Sequence, residues 1–264
     1  MADYGHDLEF GIFIPPVAER VAGVIEMAKT ADVLGLDLVT FQDHPYQAKF
    51  LDSWTLLSAL AGETSNVRLA LNVANLPLRP PAVLARSAAS LDLLSNGRVE
   101  LGLGTGAFWD AIVAMGAERL TPGESVRALE EAIAVIRGIW AAGDTSVLRV
   151  EGEFHRVVGA KRGPAPAHDV GIWLGAYKPR MLRVTGRLAD GWLPSEGYLR
   201  SDDDLTTGNA IIDESADRAG REPRDIRRLL NVTPPRGGTD AWVERLTALA
   251  LDYGIGTFIL AADD

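Results

Sequence analysis

Short apolar runs alternate along this chain with longer stretches whose apolar residues recur at helical spacing. Residues 8–14 alternate and then run apolar until Pro15 and Pro16 stop them, which predicts a first strand. Val21, Val24, Ile25, Ala28, Ala31, Val33 and Leu34 then follow a period near 3.6, and Gly35 ends that helix. A second strand is predicted over 37–41. Asp52 is placed to cap a helix over 53–61, and 67–73 forms the third strand. Pro80 and Pro81 pre-set the first turn of a helix running to residue 94, before a tight turn at Ser95-Asn96-Gly97. A fourth strand over 98–103 flows into Gly104-Thr105-Gly106. Thr121-Pro122-Gly123-Glu124 then opens a long amphipathic helix to residue 140. Residues 147–158 break the rhythm and read as a hairpin insertion. Strands over 171–174, 191–193, 229–232 and 257–260 follow, separated by helices opened by Pro179, by the run Ser201-Asp202-Asp203-Asp204, and near residue 240.

About eight strands separated by helices, with no linker or low-complexity tract, predict an α/β chain whose parallel sheet is covered on its outer face. Eight such units favour closure into a (β/α)8 barrel with residues 1–264 as a single domain. One departure is expected. The eighth strand runs into the last residue, Asp264, so the C-terminal helix of an eight-fold barrel is missing.

Composition narrows the function. Hydrophobic residues make up 47% of the chain, enough for a large core, and the polar, acidic start of the sequence is unlike a secretory signal or transit peptide. The absence of cysteine excludes disulfides and thiolate metal sites, and is compatible with the reducing cytoplasm in which we expect the protein. A net charge of −10, from 26 basic and 36 acidic residues, argues against nucleic acid and against an anionic membrane surface as partners. The four histidines lack metal-ligand spacing. A small molecule or another protein remains.

Candidate chemistry collects at strand ends, which in a barrel of this type face one mouth. Asp43 and His44 follow the second strand: the imidazole can exchange a proton near neutral pH, and Asp43 would fix its tautomer or bind a ligand. Asn72 and Asn75, at the end of the third strand, suit the edge of a heterocycle. The glycines at 102, 104 and 106 permit close approach to a flat ligand or a phosphate, although Ala107-Phe108-Trp109 breaks the dinucleotide fingerprint. Gly175-Ala176-Tyr177 opens a helix whose N–H groups are free for an anion, with Lys178 and Arg180 adding positive charge. Trp54 and Trp109 lie just beyond strand ends and are the tryptophans expected to face a ligand.

Together these strand ends resemble the luciferase-like flavin and deazaflavin oxidoreductases, the bacterial luciferase superfamily. The similarity extends over essentially the whole chain. It is strongest in Asp43-His44-Pro45, in residues 78–86, in residues 91–106, and in Gly186-Arg187-Leu188-Ala189-Asp190-Gly191-Trp192. The resemblance implies a TIM barrel and an enzyme that moves a hydride between deazaflavin coenzyme F420 and a small organic substrate. The alternative it allows is an FMN-dependent monooxygenase that takes reduced flavin from a partner reductase and inserts oxygen. It further implies His44 and Asp43 as catalytic residues, with Asp43 also touching the cofactor ring, and a cis peptide at Asn72–Val73 behind that ring. Gly104, Thr105 and Gly106 would line the ring's other side, and Gly175, Ala176, Tyr177 and Ser195 would hold the ribityl phosphate. No metal is implied; a homo-oligomer is. Ala107 stands where some alcohol-oxidising members place a carboxylate, and the nearest carboxylate is Asp110. That departure motivates a reading from another class, a flavin-binding barrel subunit without turnover.

Overall fold

A computed structural model describes residues 3–234 and 237–262. Strands β1 (Glu9–Phe13), β2 (Leu38–Phe41), β3 (Arg68–Asn75) and β4 (Val99–Gly104) precede a hairpin of β5 (Leu148–Glu151) and β6 (Arg156–Ala160). Strands β7 (Ile172–Leu174), β8 (Gly191–Trp192), β9 (Arg227–Val232) and β10 (Thr257–Ala261) follow. Except for the hairpin, which pairs only with itself, they form one closed parallel barrel in the order β1-β2-β3-β4-β7-β8-β9-β10. Closure runs from Glu9 opposite Thr257 to Phe13 opposite Ala261. The (β/α)8 TIM barrel expected from the sequence is the observed fold, and the hairpin sits where the rhythm breaks. Beyond β10, residues 263 and 264 lie outside the described residues.

The helices are α1 (Val21–Val33), α2 (Ser53–Glu63), α3 (Pro81–Leu94), α4 (Trp109–Ala114), α5 (Pro122–Trp140), α6 (Pro179–Leu188), α7 (Asp203–Arg218) and α8 (Gly238–Tyr253). Their starts follow local chemistry. The Asp52 carboxylate accepts the Thr55 N–H at the head of α2, and Thr121 with Glu124 closes a complete capping box on α5, with Pro122 in its first turn. The six-residue α4 has no counterpart in the sequence reading, because one and a half turns carry too little periodicity to register.

Alternation along each strand sorts side chains into two cores. Leu69, Leu71, Val99, Leu101, Leu103, Ile172 and Leu174 face the helices, whereas Leu38, Ala70, Trp173, Leu193, Leu229 and Ile259 form a separate cluster inside the barrel. The N-terminal end of that interior is ionic. Arg68 bonds Glu100 at 3.0 Å and pairs with Glu9, and Arg227 reaches Glu9 at 3.0 Å and the Thr257 hydroxyl at 2.8 Å. Each of these groups has a partner, as charges taken out of water require. With the bottom closed by ion pairs and the waist by apolar side chains, the C-terminal mouth is left to carry chemistry.

Candidate functional site at the barrel mouth

Beyond β2 the chain turns into a buried ion pair. Asp43 is 1% exposed and accepts Arg79 Nε at 2.6 Å, Arg79 Nη2 at 2.7 Å and the Asn75 N–H at 2.9 Å. Arg79 also reaches the Asp52 carboxylate at 2.7 Å, so one guanidinium ties the tips of β2 and β3 to the head of α2. The expectation that Asp43 sets the tautomer of His44 is not met by this geometry: its carboxylate faces Arg79 and Asn75, and no hydrogen bond joins it to the imidazole among the described residues. His44 instead stacks on Tyr46 at 5.2 Å and meets the edge of Phe108 at 5.5 Å. Burial lowers its pKa below the ordinary histidine value, against the opposing pull of the Asp43 charge. The ring is therefore neutral at pH 7 and able to accept a proton. Burial, followed by the same negative charge, pushes the Tyr46 hydroxyl up to about 12.

The Asn72–Val73 peptide is cis, at the bond that the family resemblance singled out. The β3–β4 register slips between Leu71 and Ala74, and the bulge drives backbone and side chain toward β4. This explains two of the glycines. A Cβ on Gly102 would fall 2.2 Å from the Leu71 carbonyl oxygen, and one on Gly104 would fall 2.6 Å from a Val73 methyl. The space they spare is taken first by the protein's own β3, not by a ligand. Gly106, at a φ of 88°, turns the chain against Pro77.

Across the mouth, Asn72 Nδ2 donates to Asn231 Oδ1 at 2.6 Å, and Asn231 Nδ2 donates to Ser195 Oγ at 3.0 Å. The Ser195 N–H donates to the Tyr177 hydroxyl at 2.9 Å. The candidates at 72, 177 and 195 are thus joined in one chain of hydrogen bonds. Its central member, Asn231, was missed in the sequence, where its signal is a lone amide near the end of an apolar strand. With Asn72 committed to this network, Asn75 differs: its Oδ1 is buried with no partner among the described residues. Helix α6 opens at Pro179 without a side-chain cap, and neither Lys178 nor Arg180 forms an ion pair among the described residues. Its first turn begins two residues after Tyr177 in the chain.

Other expected residues lie elsewhere. Ala107 is exposed, and Asp110 is fully exposed and paired with Arg119, so neither supplies the carboxylate that some family members place there. Trp54 belongs to a groove between α2 and α3 on the outside of the barrel, and Trp109 packs near Gly106. Two of the strongest motif stretches turn out to be structural latches. The fully buried Asp92 accepts the N–H groups of Val99, Ala167 and His168. Arg98 bonds the carbonyls of Ala61 and Thr64 at the end of α2. Asp190 holds Arg137 and the Ile172 N–H.

Comparison with known proteins agrees with this architecture. The profile of the luciferase-like monooxygenases matches residues 8–254. The chain is 33% identical over 222 residues to the 5,10-methylenetetrahydromethanopterin reductase of Methanolobus tindarius, covering 83% of this chain and 63% of that protein. It is 31% identical over 219 residues to the F420-dependent glucose-6-phosphate dehydrogenase of Kribbella flavida, covering 79% and 63%. The chain thus spans less than two thirds of the length of these curated relatives. Among solved structures, an F420-dependent secondary alcohol dehydrogenase in complex with an F420-acetone adduct superposes with a TM-score of 0.85 at 16% identity, covering 97% of this chain and 93% of that one. The likeness in fold and the profile match over nearly the whole length lead to one conclusion: the chain belongs to the luciferase-like monooxygenase family.

Proposed function

We propose that this chain, as one domain over residues 1–264 and in the cytoplasm, is an oxidoreductase that transfers hydride between coenzyme F420 and a small organic substrate. The observation that carries the reading is the meeting at one mouth of a neutral imidazole, a bulged strand tip with a cis peptide and an open helix N-terminus. Those groups fit a flat heterocycle with a phosphorylated side chain. Asn75 holds the Asp43 carboxylate through its backbone N–H, and the bulge at Asn72 and Val73 forms one wall. Gly104, packed on Val73, continues that wall, with Thr105 and Gly106 after it in the chain as the further residues expected to line the ring. Gly175, Ala176, Tyr177 and Ser195, with the α6 N–H groups, would receive a phosphate. The deazaflavin, when bound, supplies the two-electron chemistry. His44 holds or moves the proton at the substrate oxygen, taking it when an alcohol is oxidised and returning it when a carbonyl is reduced. Asp43 acts with Arg79 as a positioning pair that fixes the strand tips. The F420-dependent relative and the alcohol dehydrogenase of like fold support this cofactor class.

A second reading, an FMN-dependent monooxygenase fed by a flavin reductase, is favoured by the scarcity of cations. Lys178 and Arg180 are few for the acidic tail of F420. Absorbance and fluorescence titrations with each cofactor separate the two. For the catalytic assignment, His44→Ala is expected to keep cofactor binding and lose about a hundred- to ten-thousand-fold in turnover, the range for a removed acid–base group. Full activity in that variant refutes the role of His44. Binding without any turnover in the unmodified protein would instead support a non-catalytic barrel subunit.

A further inference from the structure

Phe108 is an exposed aromatic residue whose backbone is held on both sides. Two residues before it, Gly106 turns the chain at a φ of 88°, where a Cβ would fall 2.9 Å from Pro77 and 3.1 Å from Ile112. The Phe108 carbonyl then accepts the Ile112 N–H at 3.0 Å, the first hydrogen bond of α4. Turn and helix start fix the residue between them, yet Phe108 keeps 53% of its surface open. In the barrel β3 stands between β2 and β4, so a loop that follows β4 meets a residue that follows β2 by crossing the tip of β3. Phe108 makes that crossing. Its ring meets the His44 ring edge-on at 5.5 Å and lies 6.1 Å from Tyr46, which itself stacks on His44 at 5.2 Å.

This cluster constrains the substrate. The carbon that exchanges hydride is bonded to the oxygen that His44 serves, so the next group along the substrate lies within one or two bonds of the imidazole. A group there comes within reach of Phe108, and packing on that ring covers aromatic surface that is now in water. Charge is disfavoured at the same place. Asp43 is the charge that acts on both His44 and Tyr46, and it is negative. Arg79 serves two carboxylates, Asp43 and Asp52, so the three groups together remain negative. Among the described residues no lysine or arginine lies over any of the three rings. Lys178 and Arg180 follow β7, the third strand round the barrel from β2. A phosphate or carboxylate on this part of the substrate would lose water without gaining a partner.

Resting on the hydride-transfer reading above, we propose that Phe108 is a specificity-determining residue and that the substrate is neutral: a carbonyl compound, or the matching alcohol, whose reacting carbon carries an apolar group packed on the Phe108 ring. The phosphate-binding end of the mouth is then left to the cofactor.

Acetophenone and 4-acetylbenzoate, which differ by one carboxylate, serve as probes in ligand-observed NMR titrations of the full chain with and without F420. Acetophenone is expected to bind, and 4-acetylbenzoate to bind roughly ten-fold more weakly or worse. Phe108→Ala should weaken acetophenone by about ten-fold, the upper end for one aromatic contact, while the F420 affinity stays the same; Phe108→Leu should recover part of the loss. Absence of acetophenone binding in both titrations, or equal or tighter binding of 4-acetylbenzoate, overturns the proposal without any variant. Acetophenone binding that Phe108→Ala leaves unchanged overturns it too, as does an equal loss of F420 affinity in that variant, which would make the ring part of the cofactor site. Reduction of acetophenone to 1-phenylethanol by reduced F420 reports on the function separately. Binding as expected with no such turnover counts against hydride transfer and leaves the preference for a neutral, apolar ligand standing.

Discussion

Arg79 is the residue whose removal tests the account of the mouth most directly. It supplies two of the three hydrogen bonds that a nearly inaccessible Asp43 carboxylate receives, at 2.6 and 2.7 Å, and Arg79→Ala leaves that charge with the Asn75 N–H alone. Stranding one member of a buried pair costs about 3–5 kcal/mol when both are fully buried. The Arg79 side chain is 18% exposed, and water can enter the space it vacates, so the lower end, roughly 3 kcal/mol, is the expected loss. In a chain of this size that corresponds to a fall in Tm of about 6–12 °C. Asp43→Asn in the same background removes the stranded charge, so the double variant should recover much of the loss, with a coupling of about 2 kcal/mol or more. Urea unfolding of the unmodified protein, both single variants and the double variant measures every corner of the cycle. A loss below about 1 kcal/mol for Arg79→Ala, or strictly additive effects, would refute the claim that this pair braces the tips of β2 and β3.

Two further predictions concern the scaffold. The His168 ring lies 3.8 Å from Glu100 through Nε2 and 2.9 Å from Asp92 through Nδ1, and these carboxylates push its pKa up to about 9. A raised folded-state value stabilises below the unfolded value, about 6.5, and that contribution is lost as pH rises through 9. Denaturation at pH 6, 7.5 and 9 should show the decline, and His168→Gln should flatten it. Gly208→Ala should destabilise by about 1–3 kcal/mol, because the new Cβ would fall 2.3 Å from the buried Trp192 ring. Gly62→Ala, with nothing within 4 Å, should instead stabilise helix α2 by roughly 0.5–1 kcal/mol; equal Tm shifts for the two would contradict the packing described.

Legibility in the sequence varied with the range of the interaction. The punctuation by proline, glycine and capping residues located the barrel strands and most helices, because those signals act within a turn or two. The strand tips at 43–44, 72–75, 104–106 and 175–177 were legible for the same reason: polar or small residues stood where apolar runs ended. Their assignments were less legible. Asn72 read as free to bind a ring, yet Asn231, 159 residues away, takes its amide. The glycines of β4 read as room for a ligand, yet Val73 fills the space at Gly104. Trp54 read as facing the mouth because it follows a strand end, but α2 turns it toward α3 instead.

What the chain determined by itself was periodicity and composition, which select eight parallel strands, a barrel, and a mouth furnished with one imidazole and few cations. Tertiary structure decided who bonds to whom. Asp43 had two nearby candidates, His44 beside it in the chain and Arg79 across the mouth, and burial settled the choice. A carboxylate removed from water is satisfied far better by a two-pronged guanidinium than by a neutral ring. Adjacency in sequence says nothing about that competition; only closure of the barrel, by bringing the tips of β2 and β3 together, resolves it.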